Sequence, residues 1–329
     1  MKKKGKHLRT LRDFVRWGAS RFVEAGLFFG HGTDNPLDEA LALVLHAVHL
    51  DHSLPGGWLD CRLDKAERRA VRKLLQRRIE ERKPAAYLIG RAYFAGLEFL
   101  VDERVLVPRS PIAEWIEKGF APWLSPDVGR FAGGPPRVLD LCTGSGCIAI
   151  ACAHWLDGLL EGGELQVDAV DISPAALEVA AENVARHDLE RRVSLIQSDL
   201  YDNLPEGRRY ALIVSNPPYV SEREMRGLPS EYRAEPTIAL RADDDGLAVV
   251  IRLLAGAAER LSPEGLLVVE VGNSATALAA RFPELPFTWL DFERGGDGVF
   301  LLTAEQLAQH QSLFANEVNH RESTQSENT

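Results

Sequence analysis

The spacing of apolar positions divides the chain into two parts with different periodicities. Up to about residue 85, apolar residues recur every three or four positions, which predicts amphipathic helices. We predict such helices over 8–23, from Pro36 onward and from Asp64 onward. Asn35 stands where the second helix needs an N-cap, and Glu67 completes a capping box with Asp64. The first third of the chain is therefore predicted to be a small helical domain.

A segment of alternating apolar and aromatic residues follows this helical part. Residues 86–101 contain two glycines and predict a β-hairpin that joins two domains. Residues 104–107 are apolar enough for a further strand, which Pro108 would end. Arg109, directly after that proline, is expected either to face an active site or to form a structural ion pair.

From residue 137 onward, short apolar runs alternate with helical patterns, which is typical of a parallel α/β sheet. The helix after the second run has Ser173 as its predicted N-cap and Pro174 in its first turn. The seven strands that we predict are Arg137–Cys142, Gln166–Asp171, Val193–Gln197, Tyr210–Ser215, Gly265–Val271, Phe287–Leu290 and Val299–Leu302.

These patterns predict an α/β fold with a mostly parallel, doubly wound sheet. We expect a helical recognition domain with a basic arm over 1–85, a hairpin linker over 86–110 and a catalytic domain over 111–308. Residues 309–329 are polar and predict a disordered tail.

Composition excludes several classes of protein. The 329 residues are 45% apolar and 26% charged, which is ordinary for a globular protein of about two domains. No apolar run reaches the roughly 18–20 residues of a membrane span, and no apolar signal segment follows the basic start. We therefore expect a cytoplasmic protein with no membrane partner. Cys61, Cys142, Cys147 and Cys152 lack the paired spacing of a zinc site, so no metal is expected.

The net charge of −10 is unevenly distributed. Residues 1–85 carry 18 Lys and Arg against 11 Asp and Glu, whereas the remainder carries 20 against 37. Because phosphate neutralisation supplies most affinity for nucleic acid, the acidic part is not expected to bind DNA. It would instead attract a basic protein substrate. The basic arm over 2–12 predicts either a solvated terminus or a contact with RNA.

A predicted strand that runs directly into a glycine loop indicates a ligand site. The loop consists of Cys142, Thr143, Gly144, Ser145 and Gly146. Its glycines let the backbone approach a ligand, and the helix that follows offers unpaired N–H groups. The same glycines also satisfy the dinucleotide fingerprint of nicotinamide dehydrogenases, so the loop alone does not choose between the two kinds of ligand.

Three carboxylates follow or precede predicted strand ends and would meet at the carboxyl edge of the sheet, where ligands bind. Asp171, followed by Ile172, suits a ribose diol under both interpretations. Asp199, followed by Leu200, suits an adenine amine, and Asp140 suits the ammonium group of a methionine moiety.

The stretch after the fourth predicted strand carries the most chemical information. It reads Asn216, Pro217, Pro218 and Tyr219, and the two prolines fix φ and hold Asn216 extended. Oxygen atoms of Asn216 and Pro217 would then form a pair of acceptors beside the aromatic ring of Tyr219. Such a set suits a planar NH2 group, so the acceptor should be an amide or an exocyclic amine.

With these motifs the chain resembles the class I S-adenosylmethionine-dependent methyltransferases that modify amide or exocyclic amine nitrogens. The helical first domain, residues 86–90, the pair Glu235-Pro236 and residues 245–247 are similar to the protein-(glutamine) methyltransferases, over roughly residues 30–305. Residues 105–112 resemble the PrmB type, which methylates a glutamine of ribosomal protein uL3. Cys142 departs from the family, because many members have glycine there.

The resemblance implies a seven-stranded class I methyltransferase fold, S-adenosylmethionine as cofactor and methyl transfer to a glutamine amide nitrogen of uL3. The residues implied for the donor are Asp140, Cys142, Thr143, Gly144, Ser145, Gly146, Asp171, Ile172, Asp199, Leu200 and Asn216. Those implied for catalysis are Asn216, Pro217, Pro218 and Tyr219.

Three alternatives to this function remain open. The chain could methylate peptide chain release factors, or it could be an adenine amino-methyltransferase acting on DNA or RNA, although the acidic catalytic part argues against base flipping. It could also be a donor-sensing binding module, for which an intact Asn-Pro-Pro-Tyr block would be superfluous. The chemistry requires neither a general base nor a metal, and we nominate none.

Overall fold

The computed structural model describes residues 7–53, 55–128 and 134–318. The N-terminal helices within it are α1 (Leu11–Glu24), α2 (Pro36–Ala47), α3 (Lys65–Glu81) and the short α4 (Ala85–Ile89). They pack around an apolar cluster in which Phe14, Phe22 and Leu75 are fully buried. The predicted helices are confirmed, as are the Asn35 cap and the capping box of α3. Most of the predicted basic arm, residues 1–6, lies outside the described residues.

The predicted hairpin over 86–101 is partly wrong, because its first residues are helical. Helix α4 is followed by Gly90 at φ 76°, and the antiparallel pair β1 (Arg91–Phe94) and β2 (Leu97–Leu100) comes only after it. Four of the five residues of α4 are buried. Tertiary burial of these small and apolar side chains therefore outweighs their strand-like pattern.

Residues 104–107 do not form the predicted strand, since their polar backbone groups bind side chains instead of a neighbouring strand. The carbonyl oxygen of Val105 accepts a hydrogen bond from the Tyr87 hydroxyl at 2.5 Å. The amide of Val107 donates to Oε1 of Glu235 at 3.1 Å. Both bonds fix the stretch that leads into Arg109.

The second part of the chain is built on a seven-stranded sheet within the described residues, with strand order β5-β4-β3-β6-β7-β9-β8. The strands are β3 (Arg137–Leu141), β4 (Gln166–Asp171), β5 (Val193–Gln197), β6 (Tyr210–Ser215), β7 (Leu261–Glu270), β8 (Thr288–Trp289) and β9 (Val299–Thr303). The first five run parallel, and β9 is antiparallel to both of its neighbours. The predicted fold class and strands are confirmed.

Helices cover both faces of this sheet. They are α5 (Ile112–Glu117), α6 (Cys147–Trp155), α7 (Pro174–Arg186), α8 (Glu222–Met225), α9 (Ala248–Arg260), α10 (Ala275–Arg281) and α11 (Ala304–Gln309). Apolar residues of α5 and α6 join one core cluster, and those of α9, α10 and α11 join the other. All six residues of β6 are buried, as expected for a strand covered on both faces.

The disordered tail that we predicted over 309–329 is wrong for its first residues. Residues 311–318 are helical, and Phe314 is fully buried against the ring of Phe282, with 5.6 Å between ring centroids. One aromatic residue thus anchors a stretch whose overall composition is polar. Residues 319–329 lie outside the described part of the chain.

Candidate functional site

Two adjoining cavities open at the carboxyl ends of the parallel strands. The loop cavity, about 260 Å³, is lined among others by Gly144, Asp171 and Asp199. The tyrosine cavity is lined among others by Tyr219 and Tyr232. The two share Leu106, Arg109, Asn216 and Ala239. The structure thus brings the residues predicted from separate motifs to one edge of the sheet.

The glycine loop forms the floor of the loop cavity. Gly144 has φ 55°, and a side chain built there would meet open space, so the cavity lies directly above the backbone. Gly146 has φ 79°, and a Cβ atom there would lie 3.3 Å from that of Ala180 in α7. Cys142 also lines the cavity and adopts φ 61°, a region that favours glycine. Burial raises the pKa of its thiol, which therefore stays protonated.

Asp171 lies at the end of β4 and lines the loop cavity. Its Oδ2 accepts a hydrogen bond from the Gly144 amide at 2.8 Å, and its Oδ1 accepts one from the Ser173 amide at 2.9 Å. Burial raises the pKa of this carboxyl group above its ordinary value. Through its hydrogen bonds to the Gly144 and Ser173 amides, the side chain of Asp171 holds the loop in place, and its oxygen atoms have further lone pairs for a ligand.

Asp140 lies behind the loop and does not line either cavity. Its Oδ2 accepts hydrogen bonds from the Thr143 hydroxyl at 2.5 Å and from the Ala149 amide at 3.0 Å. Its Oδ1 is buried and has no hydrogen-bond partner among the described residues. Burial raises the pKa of Asp140 to about 7. The structure thus gives this residue a role in holding the loop that the sequence did not predict.

Asp199 also lines the loop cavity. The Asp199 carboxylate pairs with Arg252 of α9 through two contacts of 3.0 Å. Ile172 and Leu200 line the same cavity, and Ile172 is 49% exposed although it is apolar. Sequence reasoning missed Arg252, because nothing in the pattern of α9 distinguishes it from any other exposed arginine.

The Asn-Pro-Pro-Tyr block forms the wall between the cavities. Asn216 borders both, Pro218 borders the loop cavity, and Pro217 and Tyr219 border the tyrosine cavity. The Tyr219 hydroxyl donates to Oε1 of Glu270 at 2.6 Å. The extended backbone that the two prolines were expected to impose on Asn216 stays a prediction.

Tyr219 is held from two further directions that the sequence did not reveal. Its carbonyl oxygen accepts a hydrogen bond from the Ser274 hydroxyl at 2.9 Å. A Cβ atom on Gly246, which has φ 86°, would lie only 2.1 Å from that same oxygen. On the other side, Glu270 also accepts a hydrogen bond from Ser110 at 2.5 Å. Burial raises the pKa of Glu270. These contacts fix the tyrosine ring in place.

The N-terminal helices reach the site through residues 230–236, which we call the clamp segment. Buried Arg78 contacts Glu39 at 2.5 Å, Glu231 at 3.5 Å and the carbonyl oxygen of Phe28 at 2.9 Å. Arg82 contacts the same Glu231 at 3.3 Å. The helical domain therefore holds a segment whose Tyr232 and Pro236 line the two cavities.

The clamp segment ends in a charged pair at the cavities. Glu235 binds Arg109 through two contacts, of 2.5 and 2.8 Å, and lies 3.4 Å from Nε2 of His31. Arg109 was expected either to face the site or to form a structural ion pair, and it does both, because it lines the two cavities and pairs with Glu235. Among the described residues, no group of three or more potential ligands is arranged to hold a metal ion, and no helix is long and apolar enough to cross a membrane.

Comparison with known proteins shows which family the chain belongs to. Residues 132–228 match the family model described as the methyltransferase small domain, and residues 13–90 match that of the PrmC N-terminal domain. Three curated relatives carry the name ribosomal protein uL3 glutamine methyltransferase. The relative from Xanthomonas campestris is 52% identical over 92% of this chain and 94% of its own.

The other two relatives are similar over nearly the same span. The protein from Xylella fastidiosa strain Temecula1 is 49% identical, and that from Francisella tularensis is 44% identical. In both cases the match covers 94% of this chain and 94% of the relative. Identity of this extent shows that the chain belongs to the family of ribosomal protein uL3 glutamine methyltransferases.

Proposed function

We propose that this chain transfers a methyl group from S-adenosylmethionine to the side-chain amide nitrogen of a glutamine in ribosomal protein uL3. The observation that carries the proposal is that Asn216 borders both cavities, so one residue can touch a donor and an acceptor at once. The names of the relatives support the choice of substrate. The donor is assigned to the loop cavity and the glutamine to the tyrosine cavity.

The residues of the loop cavity fit the donor in several respects. Open space above Gly144 admits a ligand against the backbone, and Asp171 offers acceptor lone pairs for a ribose diol. Buried Oδ1 of Asp140 has no hydrogen-bond partner within the described residues, and an ammonium group near the loop would favour the charged form of this carboxyl group. Asp199 would take the adenine amine beside its pair with Arg252.

Positioning is the main catalytic task, because an amide nitrogen is a weak nucleophile. When bound, S-adenosylmethionine supplies an electrophilic methyl group on its sulfonium sulfur. Oxygen atoms of Asn216 and Pro217 accept the two N–H bonds of the glutamine and aim the nitrogen at the loop cavity. The nitrogen lone pair would form the new N–C bond, the donor would keep the electrons of its S–C bond as a neutral thioether, and one N–H proton would leave to water. These hydrogen bonds strengthen as positive charge develops on nitrogen, so they favour the transition state.

Two other acceptors would fit parts of the same site. A release factor also presents a glutamine amide, and the match to the PrmC N-terminal domain does not separate the two protein substrates. An adenine amine fits the acceptor pair as well, but the excess of acidic residues after residue 85 disfavours a nucleic acid there.

The test is methyl transfer to the three substrate classes in parallel. Purified protein is incubated with radiolabelled S-adenosylmethionine and uL3, release factors or DNA, and labelled peptides are mapped by mass spectrometry. We expect label on a single glutamine of uL3. Label confined to release factors would reassign the substrate, and label on DNA would overturn the argument from charge.

We also propose that α3 contacts RNA when the protein meets uL3 in an assembling large subunit, within the cytoplasm. Lys65, Arg69 and Lys73 recur every four residues and so lie along one exposed face of the helix. For these three side chains the described part of the chain provides no carboxylate partner within ion-pair distance. The stripe spans about 12 Å of helix and would neutralise several phosphates.

The salt dependence of binding tests this second proposal. The triple variant Lys65→Gln, Arg69→Gln, Lys73→Gln should lower the slope of log affinity for ribosomal RNA against log salt by about 2–3. Arg226→Gln, an exposed arginine of the catalytic part, is the control and should leave the slope unchanged. Equal slopes for the triple variant and the wild type would refute the RNA contact.

A further inference from the structure

Arg109 is the charged residue among the four that line both cavities. It lies beside the acceptor side of the site, since its guanidinium carbon is 5.5 Å from the ring centroid of Tyr232, which borders the tyrosine cavity. Its side chain is 21% exposed. A cation at this junction is part of the surface that any acceptor would meet.

The guanidinium group is held by one of its two hydrogen-bonding edges. Nη1 donates to Oε1 of Glu235 at 2.5 Å and to the carbonyl oxygen of Val107 at 3.3 Å, while Nη2 donates to Oε2 of Glu235 at 2.8 Å. A guanidinium group carries five N–H bonds in a fixed plane. The Nε–H bond and the second Nη2–H bond therefore remain on the other edge. Within the described residues, the structure records no hydrogen-bond partner for them.

The partner carboxylate is fixed in turn by both domains. Glu235 accepts a hydrogen bond from the Val107 amide at 3.1 Å and lies 3.4 Å from Nε2 of His31 in the helical domain. Burial alone would raise the pKa of Glu235, but His31 and Arg109 outweigh it and hold that pKa at about 2. Glu235 is therefore ionised at neutral pH and keeps the second edge of Arg109 in one orientation.

A primary amide needs recognition at two ends. Its NH2 group donates two hydrogen bonds, which the oxygens of Asn216 and Pro217 would accept, while its carbonyl oxygen needs a donor. We infer that the free edge of Arg109 donates to the side-chain carbonyl oxygen of the substrate glutamine, so that Arg109 is a specificity-determining residue of the acceptor site. The inference rests on the proposed function.

This arrangement would select an amide over the two side chains that resemble it. A glutamate carboxylate could bind Arg109 but would meet the oxygens of Asn216 and Pro217 without hydrogens to share. A lysine ammonium group could bind those oxygens but would meet the positive charge of Arg109. Only a group that is a donor at one end and an acceptor at the other satisfies both sides.

The expected effect of Arg109 is on substrate binding more than on the chemical step. The carbonyl oxygen of the amide gains no negative charge as the nitrogen attacks, so a hydrogen bond to it is not strengthened in the transition state. Loss of the bond should therefore appear mainly as a higher KM for the protein substrate. Loss of the Asn216 contact should instead appear in kcat.

The test compares Arg109→Gln and Arg109→Lys with the wild type. For the glutamine variant we expect kcat/KM for the protein substrate to fall about 10- to 100-fold, mostly through KM, because hydrogen bonds to charged groups have this magnitude. The dissociation constant of S-adenosylmethionine should change less than about threefold, which also shows that the variant is folded. Lysine keeps the positive charge but lacks the planar set of N–H donors of a guanidinium group. The kcat/KM of Arg109→Lys should therefore lie between those of Arg109→Gln and the wild type.

Arg186→Gln provides the matched control, since Arg186 pairs with Glu98 at 3.1 Å and lines neither cavity. Its kcat/KM should stay near the wild-type value. The free edge could instead bind the carboxylate of the donor. In that case donor affinity, and not KM for the protein, would fall in Arg109→Gln, and the inference would be wrong. It would also be wrong if kcat/KM stayed within threefold of wild type.

The ratio of variant to wild type is measured on whichever glutamine protein the wild type methylates. Absence of wild-type turnover on uL3 would contradict the proposed function, whereas an unchanged ratio would contradict only the role of Arg109. The two failures are therefore distinguishable.

Discussion

Arg78 offers the sharpest test of how the helical domain supports the site. Its side chain is fully buried and contacts Glu39, Glu231 and the Phe28 carbonyl oxygen. In Arg78→Met the two carboxylates, each 1% exposed, would lose this shared cation. Glu231 would keep Arg82, but Glu39 would be left as a buried and uncompensated charge, and removing one partner of a buried ion pair costs about 3–5 kcal/mol. We expect a loss of this size and a Tm lower by roughly 10 °C.

The pH dependence of the loss identifies its cause. Burial raises the pKa of Glu39 above its ordinary value even though Arg78 opposes the shift. Without Arg78 that pKa should rise further, so the folded variant takes up a proton before the unfolded chain does as the pH falls. The folded variant therefore loses stability as the pH rises through the raised pKa of Glu39. The difference in free energy of unfolding between the wild type and Arg78→Met should shrink as the pH falls from 7 toward 4.5.

Thermal unfolding followed by circular dichroism at several pH values measures both effects. Arg77→Met is the control, because Arg77 pairs with Glu81 in an exposed contact worth about 0.3–0.5 kcal/mol. Loosening of the clamp segment should also raise KM for the protein substrate in Arg78→Met. A loss below about 1 kcal/mol, or a deficit that does not change with pH, would refute the reasoning.

Three further substitutions test the two cavities. Asn216→Ala should lower kcat about 100- to 1,000-fold while donor affinity changes little, because it removes an acceptor aimed at the reacting nitrogen; a near wild-type kcat in single-turnover assays would contradict this. Asp171→Ala should weaken donor binding about 10- to 100-fold in calorimetry with little loss of kcat at saturation, and an unchanged affinity would count against the ribose contact. Gly246→Ala should displace the Tyr219 carbonyl and reduce kcat, since its Cβ atom would lie 2.1 Å from that oxygen. Gly207→Ala, at a similar φ of 68° but in open space, should lower the free energy of unfolding only by the backbone cost of about 1–2 kcal/mol and leave kcat intact. Equal kcat values for the two alanine variants would contradict the proposed clash.

Most of the fold could be predicted from local patterns in the sequence. The strands were predictable because a parallel strand buried on both faces needs a continuous apolar run, as 210–215 shows. The caps at Asn35, Asp64 and Ser173 were predictable because each bond spans only two or three residues. The errors arose where distant contacts decide the outcome, as in α4, which is helical because the surrounding domain buries it.

In the candidate site too, some residues could be placed from local sequence patterns, whereas others depend on contacts between distant parts of the chain. Asn216 and Asp171 follow strands and could be placed from sequence, since the topology brings strand ends together. The pair of Arg109 with Glu235 joins residues 126 positions apart, and no local pattern predicts it. Asp140 was correctly placed beside the loop, but only the structure shows that its bonds to Thr143 and Ala149 turn it away from the cavities.

The most direct test of the central claim is the methylation state of uL3 in cells. The gene for this chain, or its Asn216→Ala variant, is introduced into cells that lack their own uL3 methyltransferase, and purified uL3 is analysed by tandem mass spectrometry. The account predicts one added methyl group on a glutamine side chain with the wild-type gene and almost none with the variant. Unmethylated uL3 with the wild-type gene, or full methylation with Asn216→Ala, would contradict it.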